Sequence, residues 1–378
     1  MNRSGKTADT MEGSGLTISA SSIKVNEATL DEDTLVFSIT SQKLSNGMGV
    51  CVCRTYEDFE WLQQSLFAPD EPDLHGVIFP PLPAKLIMSP QSQINNKTLK
   101  QLGFLALGDC CRTYCEALEL YLQQVALHPI LSKNKALETL LTNTESPGKQ
   151  RAKKGIFNRL SQVMEEKRKE SHKDVDDFFQ NERDNNSNMT ALTKVTTERF
   201  LDVVLAEQRL SVASKHLSSS IQLWVNQEDS ANAAFSKICL KTSKVFETIK
   251  RNFEKTAENN ISTLGLGLDL QSRYQEAEKE MLFRRTCKLV ELEAANKNTE
   301  RAKANKKGIM EEVRNVLEKQ FDGMSSMARQ EVGRFHQSRV ALLRTALVSW
   351  CEQQLNTATE IAALYSEHLE ACQKLPEE

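Results

Sequence analysis

The chain of 378 residues carries 48 Lys and Arg against 51 Asp and Glu, a net charge of −3, with 39% hydrophobic and 26% charged residues. That balance excludes a wholly disordered chain and argues against nucleic acid as a partner; no window approaches the roughly 18 consecutive apolar residues of a spanning helix. The first residues lack the apolar run of a secretory signal, and nine cysteines in that setting read as reduced thiols of the cytoplasm.

Prolines divide the chain into two materials. Eight of the nine lie at or before Pro147, and positions 148 to 375 contain none. Because proline costs roughly 3 kcal/mol inside a helix, the second part is free to be helical throughout. After a polar lead over residues 1–15, Leu35–Ile39 and Met48–Cys53 read as strands joined by the turn residues Ser45-Asn-Gly47. Tyr56, Phe59, Leu62 and Leu66 then step by three and four, which predicts one buried helix face. The proline loop Ile78–Lys85 follows, and a second helix is predicted from about Asp109 to Leu127, ending before His128-Pro129. Strands followed by helices give a small α+β domain.

Beyond the linker Thr144–Gly148, residues 149–173 hold nine basic and three acidic side chains. Within them Ile156, Phe157, Leu160, Val163 and Met164 share one helical face, flanked by Lys153, Lys154 and Arg159. Such a cationic amphipathic helix lies in the interface of an anionic leaflet; docking against neighbouring helices with a solvated basic face is the other reading. Three long helices are then predicted. The first places Leu192, Val195, Val203, Leu210, Leu217 and Trp224 on one seam, the second runs from Phe235 with a kink or break at Gly265-Leu-Gly267, and the third carries Val313 to Leu369. These seams are expected to continue into a partner chain. Lys297, Arg301, Lys303, Lys306 and Lys307 cluster where the second helix should turn into the third, either as a solvated helix end or as a grip for lipid phosphates.

No constellation for catalysis is legible. There is no P-loop, no His-Glu-x-x-His and no Cys-x-x-Cys pair, and the six histidines are scattered. Cys51 and Cys53 fall on one strand face, read as small apolar packing. No enzyme activity, cofactor or metal site is expected.

Three fragments in fixed order, Arg54-Thr-Tyr-Glu-Asp-Phe59, Phe79-Pro-Pro-Leu-Pro-Ala-Lys85 and Leu118–Pro129, resemble a phox-homology (PX) domain. With the basic helix and three long helices beyond it, the chain resembles a sorting nexin of the PX–BAR class. Lys173-Asp-Val-Asp-Asp-Phe-Phe179, Leu282–Glu291 and Asn296–Lys303 make it most like the sorting nexin five, six and thirty-two subgroup. The resemblance implies an α+β PX domain with a small antiparallel sheet over residues 16–142, a linker over 143–152, an amphipathic helix over 153–171 and an all-α, dimeric BAR domain over 172–378. It places phosphoinositide-binding roles on Arg54, Tyr56, Lys85 and Arg112, although Thr55 occupies the position of the family's 3-phosphate arginine. It further implies curvature sensing or tubulation on the cytosolic face of early endosomes, in retrograde or recycling transport. The partners implied are a sorting nexin of the one or two type, or a second copy, and the cytosolic tails of transmembrane cargo bound by strand addition to the PX sheet. A soluble coiled-coil adaptor that reaches membranes only through its partner is the alternative.

Overall fold

The computed structural model describes residues 18–32, 34–43, 49–67, 72–86, 103–107, 110–150, 172–227 and 233–374. They form two compact units: Met1–Glu71 with Cys115–Phe157, and Pro72–Tyr114 with Asn158–Glu378. By packing, Pro72–Tyr114 groups with the long helices, while in sequence it lies within the span 16–142 expected for the small domain.

The first unit is built on an antiparallel sheet of β1 (Lys24–Asp31), β2 (Thr34–Gln42) and β3 (Gly49–Thr55) in that order. The second and third are the predicted strands. Period-two alternation turns Val52 and Arg54 inward and leaves Cys51 and Cys53 exposed, so the two thiols do not pack as expected. Against the inner face lie α1 (Tyr56–Leu66), the later turns of α2 (Cys110–Leu127) and α3 (Lys135–Thr142). The predicted α1 face is the buried one: Phe59, Leu62 and Leu66 are fully covered, and Phe59 meets Phe37 edge-on at 5.9 Å. The α2 helix ends before His128, whose Nδ1 accepts the backbone N–H groups of Ile130 and Leu131.

In the second unit α4 (Asp177–Gln227) is followed by α5 (Ala233–Asn260), α6 (Leu266–Arg301) and α7 (Ala304–Gln373). The second predicted helix is α5 and α6 joined by a π turn, Ile261–Gly265, so the glycine pair gives a bulge with helical dihedrals and no break. Gly265 is required there by close approach: a Cβ would sit 2.8 Å from the Phe104 ring. Phe104, Leu107, Val204, Ala257 and Ile261 form one buried cluster around it. Just before it, Asn260 joins three helices. It donates to Glu207 at 2.7 Å and accepts from Trp350 at 2.7 Å and Gln354 at 2.6 Å.

Buried polar contacts pin the start of α4. Arg285, almost fully buried, pairs with Asp174, donates to Ser325 at 3.0 Å and lies 3.6 Å from the Phe179 ring centroid. Arg329 does the same from the surface, bonding Asp176 at 2.6 Å over the Phe178 ring.

The proline loop is held by the same unit. Arg284 donates to the carbonyls of His75 at 3.1 Å and Val77 at 2.7 Å, Arg273 donates to Pro81 O at 2.7 Å, and Ile78 N donates to Glu331 at 3.3 Å. Burial of the Arg284 guanidinium lowers its pKa to about 10, with Glu280 opposing.

Candidate membrane and peptide interfaces

The residues expected to bind a phosphoinositide separate by environment. Arg54 is fully buried and donates Nε to Leu140 O at 2.7 Å, Nη1 to Cys53 O at 2.8 Å and Nη2 to Asn143 O. Burial lowers its pKa against the pull of Asp58. The guanidinium is thus occupied by three backbone carbonyls and closed to solvent. Strand alternation is the cause, since it forces position 54 to the inner face.

Thr55 is the N-cap of α1. Its N–H donates to Asp58 at 2.8 Å and its hydroxyl lies 3.2 Å from the same oxygen, a capping arrangement at the positive end of the helix. The other Asp58 oxygen accepts from Ser146 at 2.6 Å and Gly148 N at 2.7 Å. The position expected to hold an arginine for phosphate thus meets a buried carboxylate. Tyr56 is buried in the core, whereas Lys85 and Arg112 are exposed.

The amphipathic-helix residues Lys153, Lys154, Ile156, Phe157, Arg159, Leu160, Val163 and Met164 lie outside the described residues. The second basic cluster is fully in view. Lys297, Arg301, Lys303, Lys306 and Lys307 are all exposed around the joint of α6 and α7, where Ala302 and Lys303 adopt extended dihedrals. The Thr299 hydroxyl donates within the joint to Ala295 O at 2.9 Å and Met310 O at 3.2 Å. Ile309, 64% exposed, stands among these cations; the charge pattern drew attention away from it. Together they offer a cationic surface with an apolar member, the chemistry an anionic bilayer surface takes.

The predicted first seam faces outward. Leu192, Val195, Val203, Leu210, Leu217 and Trp224 are each 44–62% exposed. The α4 face buried within the chain is mixed: Phe179 and Val204 are covered, as are Thr193, Ser211, Ser214 and Ser218, and Ser218 donates to Ser243 O at 2.9 Å. Val340, Val348 and Leu355 expose a comparable run on α7. Among the described residues no helix is long and apolar enough to cross a membrane.

Two family models match parts of the chain. Residues 44–144 match a PX domain, and residues 272–371 match the family described as Vps5 C terminal like. Sorting nexin-6 of Homo sapiens is 26% identical over 371 residues, covering 89% of this chain and 87% of its own. Sorting nexin-32 of Homo sapiens is 24% identical over 378 residues, with 89% of each chain covered. Among solved structures, the cryo-EM structure of the SNX-BAR Mvp1 tetramer superposes with a TM-score of 0.56, covering 92% of this chain and all of that one at 16% identity. That likeness is one of fold.

Proposed function

Because the chain belongs to the PX–BAR sorting nexins, with a PX match ahead of a Vps5-like helical match, we propose that it is a non-enzymatic peripheral membrane protein of endosomal sorting. It works on the cytosolic face of endosomes, sensing or imposing curvature as a dimer. The observation that carries this reading is the α6–α7 joint, with five exposed cations around Ile309. Residues 153–169 act as a wedge, and the outward seams of α4 and α7 pair with a sorting nexin of the one or two type. Co-sedimentation with anionic vesicles, for the chain alone and with such a partner, tests the reading. Binding that rises on pairing and falls with salt is expected; a chain that sediments with vesicles in neither state would remove it. Mass measurement of the same samples separates the heterodimer from a high-affinity homodimer.

A specific observation also favours a peptide-binding role for the PX domain. Arg54 is committed to backbone carbonyls and Thr55 to Asp58, which supports a ligand other than a 3-phosphate at this position. The edge strand β1, mostly exposed, offers backbone groups to which a cargo tail could add a strand. Titration with extended tail peptides against soluble phosphatidylinositol 3-phosphate headgroup tests this: peptide binding without headgroup binding supports it.

A further inference from the structure

Outside these surfaces, three long helices each send one ligand-type side chain to a common point. Glu182 from α4, Glu278 from α6 and His336 from α7 place one ligand atom each within 4.8 Å of the others. His336 Nε2 lies 3.4 Å from Glu182 Oε2 and 3.7 Å from Glu278 Oε1. Glu278 is only 2% exposed; its Oε2 accepts from Asn186 at 2.7 Å, while its buried Oε1 accepts no hydrogen bond. Burial raises its pKa to about 7, with Asn186 and Arg339 opposing and Glu182 adding to the rise.

A buried carboxylate oxygen without a donor is costly, and it invites a positive partner. Protonated His336 is one such partner, but 3.7 Å is too long for a hydrogen bond. Two ligands bound tetrahedrally at about 2.1 Å from a zinc ion stand about 3.4 Å apart, which is the spacing that His336 sets with Glu182 and approaches with Glu278. Two carboxylates and a neutral imidazole balance a divalent charge and leave a fourth position for water. The Asn186 bond orients the deepest ligand, as outer partners do in protein metal sites. Bundle interiors with one ligand per facing helix are a common setting for such ions.

We propose that Glu182, Glu278 and His336 form a zinc-type divalent cation site that staples α4, α6 and α7. Its role is structural, since the ion would fix the mutual register of three helices whose in-chain contacts are partly polar. The sequence hides it because the ligands are separated by 96 and 58 residues.

The full-length chain, stripped with EDTA and dialysed, is titrated with Co²⁺ and, separately, melted with and without Zn²⁺. One tetrahedral cobalt d–d band per chain is expected, with no thiolate charge-transfer band, and Zn²⁺ at a hundredfold excess over Kd should raise Tm by roughly 3 °C or more. His336→Gln, at a half-exposed position that leaves the fold intact, should abolish both responses, and Glu182→Gln should weaken them at least tenfold. Absence of both responses in the parent chain, a cobalt–thiolate band as the only signal, or an unchanged response in His336→Gln each overturns the site.

Discussion

Arg284 lies 5.4 Å from the centroid of the Phe79 ring while its guanidinium donates to the Val77 carbonyl. Residues 205 positions apart in the chain thereby hold the proline loop by its backbone and by a side chain at once. Carbonyls freed from regular structure need such donors when they are buried. The proline loop is here part of the helical unit's own packing.

Replacing Arg284 with Ala removes two charged donors and a cation–π contact, and should cost about 2–4 kcal/mol. Arg284→Lys should recover little, since an ammonium cannot reproduce the fork. Urea melts give the magnitude, and faster proteolytic cleavage within 72–86 locates the loss.

Gly76 is a second hold on the same loop. A Cβ there would lie 2.5 Å from Met324 O and 2.9 Å from Ala328 N, both backbone atoms of α7 that cannot swing aside. Gly76→Ala should destabilise by about 1–3 kcal/mol. Gly308→Ala, at an open position on the same helix, is the control and should be neutral or mildly stabilising.

Asp174→Ala leaves the Arg285 charge buried without its carboxylate. The expected cost is about 3–5 kcal/mol. Asp174→Asn keeps the shape but not the charge, and should fall between the two in chemical denaturation.

Lys303, Lys306 and Lys307 changed together to Glu should weaken vesicle binding by more than tenfold, at about 1 kcal/mol per cation near an anionic surface. Circular dichroism should be unchanged, because all three are exposed and hold no ion pair among the described residues. Ile309→Ser tests the apolar member separately: a loss insensitive to salt marks insertion.

His75 supplies the pH dependence. Burial, with Arg284 and Lys288 against the pull of Glu291, lowers its pKa from the ordinary 6.5. The unfolded chain therefore takes up the proton first, and stability falls as pH drops below about 6.5. Comparison of His75→Gln with the parent from pH 8 to 5 should show a difference that opens only on the acidic side. A constant difference would exclude the histidine as its source.

Periodicity made the long helices and the α1 face legible, because 3.6-residue spacing survives any tertiary arrangement. It could not say which way a seam faces. On α4 several serines and a threonine lie inside with Val204, while Leu192, Val195, Val203, Leu210 and Leu217 of the predicted seam lie outside. The strand β1 escaped notice because only Val25 is buried along it, and the register shifts between Val25 and Glu27, so no alternation is written in the residues. The attachment of 72–86 escaped for another reason: its partners Arg273, Arg284 and Glu331 are distant in the chain and ordinary charged helix residues in isolation. Gly265 reads in the sequence as a helix irregularity, and only the structure shows that it makes room for Phe104.

Asp58 gives the first unit a mechanical character. Its two oxygens bind the cap of α1 and the chain at Ser146 and Gly148, where a Cβ on Gly148 would collide with the carboxylate itself. Tension reaching Ser146–Gly148 along the polypeptide would thus be carried to the base of α1 through this carboxylate, with Arg54 sharing the load at Asn143.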